Sequence, residues 1–224
     1  MRFKFLAAVV GSALSALVFA SPQAQAAACT SGTWASYLGL ASCTIGNLQF
    51  SDFSFLAGGN TGVTAAQIGV APITTSGDEG FEFNPAFNVT GTQISDAKLD
   101  FKVTALSGTI SDLSIFFNGA FTGTGSTSFS ETYCTTSFTT GCNVFQVTNP
   151  PTDLSKTIDI APVTALFITK DINASGGGTG QASVSDVKNQ FSQHVPEPAS
   201  LAIIGTALAS LGLVGLRRRR RDDA

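Results

Sequence analysis

The side chains able to do chemistry are few and scattered. The 224-residue chain has one histidine, His194, and four cysteines, Cys29, Cys43, Cys134 and Cys142. One imidazole excludes every site that needs two. It also leaves a nucleophilic serine without a base in a fixed pocket, and no G-x-S-x-G occurs. The cysteines contain no C-x-x-C and fit disulfides better than zinc. Three pairings are open, with the local one, Cys29–Cys43 and Cys134–Cys142, favoured. Asp78, Glu79 and Glu82 crowd one short segment, and Asp171, Asn173 and Asp186 form a second acidic group. Hard cations take such oxygens, so these are Ca²⁺ candidates, although solvated carboxylates are the favoured reading. Glycoside hydrolysis needs two carboxylates at a set separation, and nothing singles out a pair. The expectation is therefore no catalytic residue, no cofactor and no enzyme activity, with a secreted glycan-acting hydrolase as the alternative. Trp34 and Tyr37 could stack on sugar rings if exposed, though core packing is the favoured reading.

Charge narrows the partners. Net charge is −3, but no arginine lies between Arg2 and Arg217. The intervening body is acidic and lacks the clustered cations that phosphate contacts require, so nucleic acid is excluded as a partner. Ser175-Gly176-Gly177-Gly178-Thr179-Gly180 has no following G-K-[ST] and reads as a turn, not a phosphate loop.

The elements that must position these residues read as strands. Gly, Ser and Thr make up more than a third of residues 27–194; Thr favours strands, and Gly and Ser favour the turns between them. Leu99, Phe101, Val103 and Ala105 alternate with polar residues, as do Leu113, Ile115 and Phe117, and Phe129, Glu131 and Tyr133. Leu48 and Phe50 alternate, then Phe53 and Phe55 continue one residue out of phase, which predicts a bulge at Ser51-Asp52. Ile158 and Ile160 are expected to pair with a strand from Val163 to Ile172, and a final strand is expected near Gln181 to Val187. The whole predicts an all-β antiparallel sandwich or jelly roll over 27–187, with 188–194 as a linker.

Both ends read as addresses. Arg2 and Lys4 precede the apolar run Phe5 to Ala20, and Ala24-Gln25-Ala26 fits small-x-small cleavage, giving a signal peptide over 1–26. A lipoprotein anchored through Cys29 is the alternative. At the other end, 195–200 hold Val-Pro-Glu-Pro-Ala-Ser, 201–216 are uncharged and apolar, and Arg217, Arg218, Arg219, Arg220 and Arg221 follow. An apolar helix of that length is about 24 Å at about 1.5 Å per residue, and snorkelling arginine stems extend it towards a bilayer span. The arginines hold the far side cytoplasmic, and the prolines keep the motif out of the helix.

This tripartite end resembles the PEP-CTERM sorting signal of exported bacterial proteins, over 195–221. The resemblance implies that an exosortase recognises Pro196, Glu197 and Pro198 and removes the tail, with the arginine block acting as stop-transfer. It implies a membrane-anchored precursor, a final place in the cell envelope, outer surface or extracellular matrix, and, by analogy, contact with exopolysaccharide in a biofilm. The expected partners are thus exosortase, the membrane and exopolysaccharide.

Overall fold

The computed structural model describes residues 26–149 and 154–194. The expected signal peptide (but for Ala26) and the expected sorting signal, with Pro196, Glu197, Pro198, the apolar run 201–216 and Arg217 to Arg221, lie outside the described residues. Among the described residues no helix is long and apolar enough to cross a membrane.

In chain order the strands are β1 (Gly32–Thr33), β2 (Ser42–Ile45), β3 (Leu48–Gly59), β4 (Gly69–Ile73), β5 (Asp78–Asn84), β6 (Phe87–Thr90), β7 (Ile94–Ala105), β8 (Thr109–Thr122), β9 (Ser126–Ser137), β10 (Thr140–Thr148), β11 (Leu154–Val163), β12 (Ala165–Ser175) and β13 (Gln181–His194). A one-turn helix, α1 (Trp34–Tyr37), and a 3₁₀ turn (Ala65–Gln67) complete the described chain. The strands form two antiparallel sheets. One has the order β1-β4-β5-β13-β8-β11, with β6 also paired to β13; the other runs β10-β9-β12-β7-β3-β2.

The core follows from strand alternation. On β7, Leu99, Phe101 and Val103 are fully buried, as are Leu113 and Phe117 on β8 and Phe129 on β9. Each takes one face of its pleat, and the polar residues between them take the other. The bulge forms where the phase slips: pairing of β3 with β7 shifts between Ser51 and Ser54, and Asp52 has φ 56°. The extra residue turns Phe53 and Phe55 back towards the core, where both are partly buried. A centre of aromatic rings joins the sheets. Phe50 and Phe81 lie 4.5 Å apart, and Phe101 meets Phe81 edge-on at 5.8 Å. Such pairs contribute about 0.5–1.5 kcal/mol each beyond area burial.

Two expectations are corrected. Ile158 does not pair with the 163–172 segment: it lies opposite Leu113, in register with β8, while β12 crosses to the other sheet and pairs with β7 and β9. Alternation fixes which face a strand buries, not which strand lies beside it. Residues 188–194 are not a linker but the second half of β13. Phe191 is fully buried opposite Leu113 and Glu79, and His194 pairs with Thr109. The run Lys188-Asn189-Gln190-Phe191 looks polar because Asn189 occupies a core-facing position.

Candidate functional site

Three connections meet at one end of the sandwich: residues 60–64 after β3, 85–86 between β5 and β6, and 91–93 between β6 and β7. They enclose a cleft of about 450 Å³, within the range of small-ligand sites. Its floor is apolar, with Val63, Pro85 and Phe87 buried. Its rim is Thr61, Gln67, Asn88 and Gln93, all exposed, and no lining residue is charged.

Two rim amides are fixed by the same device. Gln67 Oε1 accepts from the Thr64 backbone N–H at 2.7 Å and the Thr64 hydroxyl at 3.2 Å. Gln93 Oε1 accepts from the Thr90 backbone N–H at 3.0 Å and the Thr90 hydroxyl at 3.3 Å. Both are T-x-x-Q patterns, in which the glutamine reaches back to the threonine amide as in a capping box. Each carboxamide therefore has its oxygen committed and its Nε2 donors left over. Asn60 clamps the first connection to the third: its Nδ2 donates to the Thr92 carbonyl at 2.9 Å, and its Oδ1 accepts from the Ile94 N–H at 2.8 Å. Ala86 sits at φ 51°, left-handed backbone that costs a non-glycine residue about 1 kcal/mol. The strain lies in the cleft wall, where Pro85-Ala86 forces the turn that presents Phe87. With neutral donors and acceptors over an apolar floor, the cleft can hydrogen-bond and pack an uncharged, hydroxyl-rich ligand. It offers no carboxylate, imidazole or thiol for acid–base or nucleophilic work.

The outer face of the six-stranded sheet is polar. Ser128, Ser130 and Thr132 on β9 stand opposite Asn173, Asp171 and Thr169 on β12, which oppose Asp96, Lys98 and Asp100 on β7. Two of its carboxylates are tied to neighbours by hydrogen bonds. Asp100 accepts from Thr169 Oγ1 at 2.6 Å and Ser54 Oγ at 2.7 Å, and Asp96 accepts from Asn173 Nδ2 at 3.0 Å. Burial, and then the Asp96 carboxylate, push Asp171 above the ordinary carboxylate range, while Lys98 pulls it back.

The sequence-derived candidates separate. Cys29–Cys43 and Cys134–Cys142 are both bridged, the local pairing. The proposed cation group Asp78, Glu79 and Glu82 does not converge. All three lie on β5, where the pleat sends Glu79 to the buried side and Asp78 and Glu82 to the other. Glu79 accepts from Gln193 Nε2 at 3.0 Å, and Glu82 faces Lys188 at 3.5 Å. Asp186 lies on β13, in the opposite sheet from Asp171 and Asn173. Among the described residues no group of three His, Cys, Asp or Glu is placed to hold a metal ion. Trp34 and Tyr37 are 0% and 1% exposed, so neither can stack on a sugar. Trp34 Nε1 donates to the Ser54 carbonyl at 2.9 Å, and Tyr37 Oη donates to the Thr30 carbonyl at 2.7 Å. The lone helical turn after β1 drives both rings into the aromatic centre.

Sequence reasoning missed the cleft and a second polar cluster, buried between the sheets. Glu131 (β9), Lys170 (β12) and Asn189 (β13) are each 0% exposed. Lys170 Nζ donates to Glu131 Oε2, and Asn189 Nδ2 donates to Glu131 Oε1 at 3.1 Å. The Lys170 ammonium also lies 5.1 Å from the Phe129 ring centre and 5.7 Å from that of Phe83. Burial pushes the Glu131 carboxyl up and the Lys170 amine down, against their mutual attraction. A signal existed: Lys170 falls in phase with Ile168 and Ile172, Glu131 with Phe129, and Asn189 with Val187 and Phe191. For the cleft, the signal was the pair Thr64-x-x-Gln67 and Thr90-x-x-Gln93.

No protein-family model and no curated relative matches the chain. Among solved structures it is similar to TmCBM61 in complex with β-1,4-galactotriose, at 10% identity and a TM-score of 0.34, over 60% of this chain and 86% of that one. It is similar to a family 11 carbohydrate-binding module from Clostridium thermocellum, at 13% identity and a TM-score of 0.25, over 65% and 91%. It is also similar to the CBM22-1 xylan-binding domain of Paenibacillus barcinonensis Xyn10C, at 7% identity and a TM-score of 0.27, over 77% and 100%. At these values the likeness bears on neither ligand nor site.

Proposed function

We propose that this chain is an exported, non-enzymatic glycan-binding module of the cell envelope or extracellular matrix, and that the loop-end cleft takes neutral sugar residues. The observation that carries the reading is the cleft's composition: amides and hydroxyls on the rim, Phe87, Pro85 and Val63 on the floor, and no charge. Sugars match that pattern, with hydroxyls at the edge of the ring and C–H on its faces. Two disulfides support an oxidising compartment. The Pro-Glu-Pro, apolar and arginine segments support sorting as a membrane-anchored precursor processed by an exosortase at Pro196-Glu197-Pro198.

The binding test is titration of the full chain against neutral and acidic polysaccharides, followed by Asn88→Ala and Gln93→Ala. Each substitution removes one hydrogen-bonding amide, and loss of a net bond of about 1.4 kcal/mol weakens binding about tenfold. Affinity for neutral glycans that both variants leave unchanged, or binding to acidic polymers alone, refutes the cleft assignment. For sorting, alanines at Pro196, Glu197 and Pro198 should leave the precursor at full mass in the membrane fraction. Normal processing of that variant refutes the exosortase reading.

A further inference from the structure

The buried Glu131–Lys170–Asn189 cluster is more than an ion pair. A buried ion pair rarely stabilises a fold more than apolar residues of the same size would. This one also strands the Asn189 Oδ1, which is buried with no hydrogen-bond partner, at a cost comparable to a lost hydrogen bond. The three groups are nonetheless ordered for one reaction. An amine and a carboxamide are bound to the two oxygens of a single carboxylate, which links both nitrogens to one proton carrier. Phe129 and Phe83 flank the amine, and none of the three side chains is open to water.

We propose that Lys170 and Asn189 join in an autocatalytic isopeptide bond, with Glu131 as the proton carrier. Glu131 Oε2 takes a proton from Lys170 Nζ. The freed Nζ electron pair attacks Asn189 Cγ and forms the new C–N bond. A second Nζ proton reaches Nδ2 by way of the carboxyl, the Cγ–Nδ2 bond breaks with its electron pair on nitrogen, and ammonia leaves. The products are a secondary amide, a protonated Glu131 able to donate to it, and one ammonia, with no change of oxidation state. Burial supports the first step, because it favours the neutral carboxyl and neutral amine over the charged pair.

The bond would do what neither disulfide does. Cys43 lies on β2, and Cys29 hydrogen-bonds alongside it, its N–H to the Thr44 carbonyl at 2.9 Å; Cys134 and Cys142 are cross-strand neighbours on β9 and β10. All of these strands belong to the six-stranded sheet. Lys170 and Asn189 lie on opposite sheets, so their amide would tie the two layers together covalently, as suits a module held at an exposed surface.

Tryptic mass spectrometry of the purified, reduced and alkylated full chain tests this. Acylated Lys170 is not a trypsin site. The expected product is therefore a peptide running from Thr157 past Lys170 to Lys188, joined to the peptide that begins at Asn189, lighter than their sum by one ammonia. Lys170→Arg should restore cleavage at that position and return Asn189 to its unmodified mass. Recovery from the wild-type chain of mainly linear peptides ending at Lys170, with Asn189 unmodified, overturns the proposal whether or not any variant folds.

Discussion

Trp34 is the only tryptophan in the chain, which makes its environment directly measurable. The ring is fully buried, 5.8 Å from Tyr37, 5.5 Å from Phe53 and 5.6 Å from Phe83. A tryptophan buries roughly 200 Å², which at about 25 cal/mol per Å² gives about 5 kcal/mol as an upper bound. Trp34→Ala should therefore cost about 3–5 kcal/mol. Trp34→Phe keeps most of the ring contacts but removes the N–H that satisfies the Ser54 carbonyl beside the β3 bulge, for about 1–3 kcal/mol. Urea unfolding followed by far-ultraviolet circular dichroism reads both losses as shifts in midpoint. The folded wild type should also emit at short wavelength and resist iodide quenching. Red-shifted, readily quenched emission, with Trp34→Phe leaving the midpoint unmoved, would place the ring at the surface and return it to the sugar-stacking role.

Opening Cys134–Cys142 or Cys29–Cys43 by paired serine substitution should lower stability by about 2.5 and about 3 kcal/mol from loop entropy alone, measured as urea midpoints with the other bridge intact. Ala86→Gly should leave stability unchanged or raise it by up to about 1 kcal/mol, because glycine relieves the left-handed strain; a clear loss in thermal melting would contradict the assigned turn. Asp171 is held above the ordinary carboxylate range by burial and by Asp96, so its folded form binds the proton more tightly than its unfolded form. That ionisation penalty is absent in acid and grows as pH rises through the raised pKa. Asp171→Asn should therefore stabilise at neutral pH, by less than about 1 kcal/mol, and not in acid; equal effects at both pH values would show that charge is not the cause. Burial pushes the Tyr37 hydroxyl up to about 12, so the unfolded chain ionises first. Stability should fall across the window from the ordinary phenol value up to that point, a loss that Tyr37→Phe abolishes.

The sequence by itself determined the class of fold, the bulge in β3 and the shortage of catalytic groups, and it favoured the local cysteine pairs that the structure bridges. Each of these is a local property. Alternation sets a strand's buried face, a phase slip marks an inserted residue, short loops favour nearby thiols, and composition limits chemistry directly. Tertiary structure alone decided strand neighbours, and with them everything built from residues distant in the chain. Ile158 met Leu113 and not β12, and Asp186 ended on the sheet opposite Asp171. Lys188 to His194 became half of a strand because Phe191 and Asn189 face inward. The cleft gathers Thr61, Pro85 and Gln93 from three connections, and Glu131, Lys170 and Asn189 come from three strands on two sheets. Periodicity says which way a side chain points, but only the stacking of two sheets says what it points at.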